Sequence, residues 1–185
     1  MSWFEPSFAY QIYPLGLCGA PHENDGVLVH RLRKLIDDGW IDHMQRLGVT
    51  CLILNPVFDS LSHGYDTSDY TKVDCRLGDS DDLRAVVAAC HEAGIRVLLD
   101  GVFNHAGRGF WAFNDVQEKR GDSPFASWFE IDWGGNNEWN DGFSYSTWQG
   151  VPYLIKLNHH SNELNEYLAD VIRGWESDYG IDGLR

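Results

Sequence analysis

Short runs of consecutive apolar residues mark the predicted strands of this chain. The run at Val97–Leu99 has no polar alternation, which is typical of a strand covered on both faces of a parallel sheet. Proline closes the first such segment, since Pro14 ends its extended pattern. The segments that predict strands are, in chain order, residues 7–13, 49–54, 95–100 and 181–185.

Apolar residues spaced three or four positions apart predict helices between these strands. Leu28, Leu32 and Leu35 share one face of a helical region over residues 28–47, which Gly39 interrupts. Further helices are predicted over residues 80–93 and 162–179, the last with Asn162 as its cap. The alternation of strands with helices favours a parallel α/β sheet.

Two long stretches depart from this alternation. Residues 57–79 predict a polar loop after the second strand. Residues 106–158 predict a mostly irregular region with a short helix near residues 109–119, and they are rich in Trp, Gly, Asn and Asp. About fifty irregular residues inside one domain usually serve a function.

The composition restricts the classes of partner. The chain has 14 Lys and Arg against 28 Asp and Glu, a formal net charge of −14, which disfavours nucleic-acid binding. Its N-terminus lacks the pattern of a signal peptide, and no apolar stretch approaches the roughly 20 residues that span a bilayer. Four widely spaced cysteines without a C-x-x-C pair favour reduced thiols. We therefore expect a cytoplasmic protein with no nucleic-acid or membrane partner.

A carboxylate and a histidine follow the third predicted strand. Asp100 ends the strand, and His105 follows it five residues later. Such groups are costly to bury without partners, and ligands bind where parallel strands end. The stretch is therefore a candidate site. Spacing alone leaves open a structural role, in which Asp100 caps a turn and His105 is an ordinary loop histidine.

Several segments in a fixed order resemble the α-amylase superfamily, glycoside hydrolase family 13. Asp100-Gly-Val-Phe-Asn104-His105 is similar to its D-x-V-x-N-H signature, and residues 179–185 resemble the start of its G-x-R-x-D signature. The remaining matches are residues 10–14 to the first strand, 63–66 to a substrate-stacking loop, and the segments Leu77-Gly78 and Lys156-Leu157-Asn158.

The resemblance implies the N-terminal half of a (β/α)8 TIM barrel with an irregular subdomain inserted after the third strand. Residues 1–105 would hold strands 1–3 with their helices, and residues 106–158 the inserted subdomain. Residues 159–185 would hold the third helix and the start of strand 4. The rest of the barrel is then an expected partner of these 185 residues.

The family's chemistry is retaining hydrolysis of α-glucosidic bonds by two carboxylates about 5 Å apart. The resemblance places the nucleophile two residues beyond Arg185 and the acid/base later still. The 185 residues by themselves are therefore expected to be inactive, and Arg185 and Asp100 to support catalysis. Arg185 would keep the nucleophile ionised, and Asp100 would hold Arg185 in a charge-assisted pair.

The resemblance also implies substrate contacts. His63 and His105 would donate hydrogen bonds to hydroxyls of the sugar at the cleavage site, and Tyr65 would stack under its ring. Asn104 matches a calcium ligand of some members, although no cofactor is required. The polar stretch 132–141 lacks the EF-hand glycine and is interpreted as a solvated turn. Trp133, Trp139 and Trp148 could equally line outer sugar subsites or pack the insert against the barrel.

The expected function is hydrolysis of α-glucans or maltooligosaccharides. Two alternatives stay open at this point: a transglycosylase or branching enzyme of the same superfamily, and a sugar-binding or scaffold relative that has lost catalysis. An unrelated phosphate-binding α/β domain is excluded because no Gly-rich loop follows a predicted strand.

Overall fold

The structure, a computed structural model, describes residues 7–185. The segment Met1–Pro6, whose pattern argues against a signal peptide, lies outside the described residues. It contains eleven strands in the described range. They are β1 (Ala9–Ile12), β2 (Cys51–Leu54), β3 (Phe58–Ser60), β4 (Thr67–Val73), β5 (Arg96–Leu99), β6 (His105–Gly107), β7 (Ile131–Asp132), β8 (Ser144–Tyr145), β9 (Thr147–Trp148), β10 (Val151–Lys156) and β11 (Gly183–Leu184).

Six α-helices and three 3-10 helices connect these strands within the described residues. The α-helices are α1 (Pro14–Leu17), α2 (Lys34–Asp37), α3 (Trp40–Leu47), α4 (Ser80–Glu92), α5 (Trp111–Lys119) and α6 (Asn162–Tyr179). The 3-10 helices are Arg31–Arg33, Arg120–Asp122 and Ala126–Trp128. Among residues 7–185, none of the helices combines the length and apolar composition that a bilayer crossing requires.

Strands β1, β2, β5 and β11 form one parallel sheet in that spatial order. The order follows the chain, as in consecutive strands of a parallel α/β barrel. Val97 and Leu99 are fully buried and Leu98 nearly so, which confirms that the apolar run forms a strand covered on both faces.

The sheet register determines which side chains lie next to one another at the carboxyl ends of the strands. Ile53 pairs with Leu98, and Leu98 with Gly183. Side chains alternate along a strand, so the residues two positions further on project from the same face. Those residues are Asn55, Asp100 and Arg185, one position beyond the ends of β2, β5 and β11.

The helical region after the first loop is more broken than the pattern predicts. The prediction that Leu28 belongs to its apolar face is wrong, because Leu28 precedes the first helical turn and is exposed. Leu32 and Leu35 are fully buried as expected. The prediction of Asn162 as the cap of α6 is also wrong: the cap is Ser161, whose Oγ accepts a hydrogen bond from the Leu164 N–H.

Residues 57–79 include an antiparallel hairpin of β3 and β4, so the prediction of a polar loop there is wrong. Tyr70, Val73 and Phe58 are buried, and Phe58 stacks on Trp175 of α6 with ring centroids 4.2 Å apart. Bulges in the pairing interrupt the regular alternation of polar and apolar residues by which a strand is recognised in sequence.

Residues 106–158 have more regular structure than the sequence predicts. Strands β6, β10 and β9 form an antiparallel sheet, and β7 pairs with β8. Most of these strands are two or three residues long, and β6 and β10 pair across about forty intervening residues, so no local pattern indicates them. A buried aromatic core packs α5 against the rest of this region and is made of Phe110, Phe113, Trp128, Phe129 and Phe143.

Candidate functional site

Three side chains from separate segments meet above the carboxyl end of the parallel sheet. Arg185 Nη1 lies 2.5 Å from Asp100 Oδ2, and the Tyr65 hydroxyl donates to the same oxygen at 2.9 Å. Arg185 Nη1 also lies 3.4 Å from the Tyr65 hydroxyl oxygen. Asp100 is buried and its partners balance the desolvation of its carboxylate.

Two amides that the sequence did not single out extend this cluster to the first two strands. Asn55 Nδ2 donates to the Tyr65 hydroxyl oxygen at 2.7 Å, and Gln11 Nε2 donates to Asn55 Oδ1 at 2.6 Å. The hydrogen-bonded chain therefore crosses the ends of β1, β2, β5 and β11. Asn55 carries a weak sequence signal, since it follows a buried strand as Asp100 does, whereas Gln11 inside β1 carries none.

The loop that carries His63 and Tyr65 is held at several points. The Tyr13 hydroxyl donates to the His63 carbonyl at 3.2 Å, and the Tyr65 N–H donates to His63 Nδ1 at 3.2 Å. Ser62 Oγ donates to Asp66 Oδ2 at 2.7 Å, while Asp66 Oδ1 is buried without a hydrogen-bond partner in the described residues. His63 and Tyr65 are half-buried.

A buried ion pair also contacts the loop that carries His63 and Tyr65. Arg76 is fully buried and contacts Asp74 through Nη2 at 2.6 Å. Its Nη1 donates to the carbonyl oxygens of Ser62 and His22 at 2.7 Å each, and its Nη2 donates to Ser60 Oγ at 2.9 Å. One guanidinium thus ties His22 to the segment that contains Ser60 and Ser62.

His105 is buried at the start of β6, and its neighbour Asn104 is exposed. The His105 ring lies 5.4 Å from the ring of Trp148, centroid to centroid, and Asn104 Nδ2 lies 3.2 Å from His105 Nδ1. His105 Nε2 makes no hydrogen bond within residues 7–185. An unpaired buried ring nitrogen is costly unless water or a ligand pairs with it.

These side chains line one cavity of about 470 Å³, a volume in the range of small-molecule sites. Its lining includes the predicted residues His63, Tyr65, Asp100, Asn104, His105 and Arg185. The insert contributes Trp148 of β9 and Tyr153 of β10, whose rings lie 5.4 Å from the His105 ring and 6.0 Å from the His63 ring, centroid to centroid. The structure therefore brings all six site residues predicted from the sequence to one cavity.

Burial and charge shift three ionisable groups of the site. Burial lowers the pKa of His105 below its ordinary value, with the Tyr65 backbone partly offsetting this, so the imidazole is neutral near pH 7. Burial and the Asp100 carboxylate raise the pKa of Tyr65, and Asp100 raises the pKa of Arg185. Tyr65 therefore keeps its proton and Arg185 its charge.

The remaining predicted features are structural. Asp141 in the polar stretch 132–141 accepts hydrogen bonds from Arg108 and Asn137, so the stretch is tied to the insert rather than freely solvated. Trp139 stacks on the Arg108 guanidinium, 3.9 Å from its ring centroid. His159, interpreted as an ordinary surface residue, is exposed, and its Nε2 lies 2.7 Å from the Phe103 carbonyl in the cavity wall.

Two clusters of carboxylate, imidazole or thiol groups occur in the described residues. They are His30, Asp79 and Asp82, and Asp59, Asp74 and Cys75. Neither includes Asp100 or His105, the neighbours of Asn104 in the cavity, and the Asn104 amide nitrogen faces His105. Calcium binding at Asn104 stays a prediction from the resemblance, because these clusters do not include the amide and carbonyl oxygens that calcium also binds.

The sequence profile described as the catalytic domain of α-amylase matches residues 32–185, and the chain belongs to this family. The expected resemblance is thereby confirmed. Cyclomaltodextrinase of a Bacillus species is 36% identical over 201 residues, covering 100% of this chain and 36% of the relative. Neopullulanase 2 of Thermoactinomyces vulgaris is 35% identical over 201 residues, with 99% and 34% covered. The chain spans about a third of the length of these curated relatives.

A solved structure shares the fold. Cyclic α-maltosyl-(1→6)-maltose hydrolase from Arthrobacter globiformis, in complex with maltose, superimposes with a TM-score of 0.83 at 33% identity. The match covers 100% of this chain and 45% of that enzyme.

Proposed function

We propose that the protein is a retaining glycosidase that hydrolyses α-glucosidic bonds of short or cyclic maltooligosaccharides. One observation carries the proposal: the Arg185–Asp100–Tyr65 cluster and two histidines line a single cavity at the carboxyl ends of parallel strands. The relatives' names, cyclomaltodextrinase and neopullulanase, support the choice of an α-glucan as the substrate.

In this proposal the described residues bind and orient the sugar. Tyr65 stacks under the ring at the cleavage site. His63 donates to one of its hydroxyls, and neutral His105 donates to another through Nε2, the ring nitrogen without a partner in the described residues. Arg185, held by Asp100, orients the nucleophilic carboxylate. In this proposal the nucleophile and the acid/base are assigned to the part of the relatives' length that residues 1–185 do not cover.

We further propose that β1, β2, β5 and β11 are the first four strands of an eight-stranded barrel, with residues 106–158 as its inserted subdomain. The family assignment and the strand order support this architecture. A cytoplasmic location is also proposed, in line with a relative named intracellular maltogenic amylase. The proposed hydrolysis by two carboxylates needs no cofactor, and calcium binding at Asn104 stays a prediction from the resemblance.

The test uses the protein expressed from its complete gene. Purified protein is incubated with cyclodextrins, maltotriose to maltoheptaose, pullulan and starch, and products are followed by chromatography and by NMR of the first anomer released. The proposal requires α-anomers of maltose or glucose as first products, and their loss in Arg185→Ala. Longer oligosaccharides as main products would identify a transglycosylase or branching enzyme instead. Binding without turnover would identify a sugar-binding relative.

A further inference from the structure

We propose that Gln11 and Asn55 are positioning residues that direct the hydroxyl proton of Tyr65 onto Asp100. The inference rests on the proposed function, in which Tyr65 supports the sugar and Asp100 holds Arg185. Neither amide has to touch the sugar for this role, because both act through Tyr65.

The Tyr65 hydroxyl has three polar neighbours and one proton. Asn55 Nδ2 at 2.7 Å and Arg185 Nη1 at 3.4 Å can only donate to its oxygen. The two lone pairs of the hydroxyl are thereby occupied, and its proton is left for Asp100 Oδ2 at 2.9 Å. The direction of the Tyr65–Asp100 hydrogen bond thus depends on Asn55 presenting its nitrogen.

An amide side chain can also present its oxygen. If Asn55 turned over, Oδ1 would face Tyr65 and accept the hydroxyl proton, leaving two oxygens of Tyr65 and Asp100 in contact without a proton between them. Gln11 Nε2, at 2.6 Å from Asn55 Oδ1, holds Asn55 in the productive orientation. Because Gln11 is itself an amide, the pair has two self-consistent arrangements, and a charged acceptor at Asp100 favours the one observed.

The sheet register explains why a residue of β1 reaches this cluster. Gln11 pairs with Ile53, and Asn55 lies two positions further along the same face. Gln11 is exposed in the described residues, so its replacement does not open a cavity in the core. Position 11 can therefore be changed to select either arrangement of the Asn55 amide.

Two substitutions at this position have opposite effects on the Gln11–Asn55–Tyr65 chain of hydrogen bonds. Gln11→Glu offers Asn55 only an acceptor. Asn55 then turns its nitrogen toward residue 11 and its oxygen toward Tyr65, so that the Tyr65 hydroxyl donates to Asn55 instead of to Asp100. Gln11→Lys supplies a donor alone, which holds Asn55 as observed. Gln45→Glu is the charge-matched control, because Gln45 is an exposed residue of α3 that contacts the Ala93 carbonyl away from the site.

The experiment measures kcat, KM and the melting temperature of these three variants in the protein expressed from its complete gene. Gln11→Glu should lower kcat/KM about tenfold, mostly in kcat, which corresponds to one hydrogen bond to a charged group. Gln11→Lys should lower kcat/KM much less than Gln11→Glu does, and Gln45→Glu should have the kcat/KM of the unsubstituted protein. Equal losses in the Glu and Lys variants, or losses that follow the melting temperature, would overturn the inference.

A second readout does not depend on activity. Neutron diffraction distinguishes amide nitrogen from oxygen and locates hydroxyl protons. It should show Asn55 nitrogen facing Tyr65 in the unsubstituted protein and in Gln11→Lys, and Asn55 oxygen facing Tyr65 in Gln11→Glu. An unchanged Asn55 in Gln11→Glu would refute the positioning role of Gln11 and Asn55, even if the protein proves inactive on α-glucans. A turned Asn55 amide in a protein that is inactive on α-glucans would refute the proposed function alone.

Discussion

A single hydroxyl group holds the centre of the site together. The oxygen of Tyr65 joins Asn55, Asp100 and Arg185, so three strand ends depend on one atom. Buried polar groups that lose a partner cost more than the bond itself contributes, because the remaining group stays desolvated. Loss of this oxygen therefore leaves several polar groups of the site without a partner.

Tyr65→Phe keeps the ring and removes the oxygen. We expect kcat/KM to fall about tenfold or more in the protein expressed from its complete gene, since Asn55 Nδ2 loses its acceptor and Asp100 loses a donor. Steady-state kinetics on a cyclodextrin provide the measurement. Tyr10→Phe, at a half-buried tyrosine outside the cavity, is the matched control and should change kcat/KM by less than about twofold.

His105 makes stability depend on pH. Its folded pKa is lowered by burial, while in the unfolded chain it takes up a proton at about 6.5. As the pH falls below about 6.5, the unfolded state gains a proton that the folded state does not, so the free energy of unfolding decreases. Urea unfolding at pH 7.5 and 5.5 should show a smaller pH dependence in His105→Gln than in the unsubstituted protein. The same difference in exposed His160→Gln would contradict this assignment.

At the scale of elements, β6 passes directly beneath the loop that carries Tyr65. A Cβ atom at Gly107 would overlap the backbone carbonyl of Asp66. We expect Gly107→Ala to lower the free energy of unfolding by about 1–3 kcal/mol, because the insert and the loop must move apart. Thermal unfolding gives the measurement. Gly121→Ala, where an added Cβ meets no atom within 4 Å, should have less than half of that effect.

Arg76 joins elements that are distant in sequence. Its side chain and that of Asp74 are at most 1% exposed, and its hydrogen bonds reach the loops at residues 21–22 and 60–62. Arg76→Met leaves the Asp74 charge buried and should cost about 3–5 kcal/mol. Arg84→Met, which removes an exposed pair with Asp81, should cost at most about 1 kcal/mol. If chemical denaturation showed similar losses in the free energy of unfolding for both variants, the buried Arg76–Asp74 pair would stabilise the fold no more than an exposed pair does.

At the scale of the whole molecule, both outer strands of the parallel sheet have a free edge in the described residues. Strand β1 pairs with β2 alone and β11 with β5 alone, and Phe8, Tyr13 and Leu17 beside β1 are exposed. Unpaired edges next to apolar surface promote association. We expect a polypeptide limited to residues 1–185 to elute from size exclusion as associated species and to unfold over a broad temperature range. A monomer with one sharp transition would contradict this expectation.

Local pattern determined the strand–helix order and the site residues that follow buried strands. The run at Val97–Leu99 predicted a buried strand, and the polar residues after it predicted a site, because strand ends and their loops are where polar groups meet solvent or ligand. The signatures at residues 100–105 and 179–185 then indicated the family, and the resemblance placed six residues in one site. All six line the same cavity.

Tertiary structure alone decided the rest, because the contacts involved join residues far apart in the chain. The register of four strands brought Gln11 and Asn55 to Tyr65, although 44 positions separate the two amides. The pairing of β6 with β10 turned a stretch with no local pattern into a sheet that supplies Trp148 and Tyr153 to the cavity. Periodicity reports which side of an element is buried, whereas register and long-range pairing depend on what each element packs against.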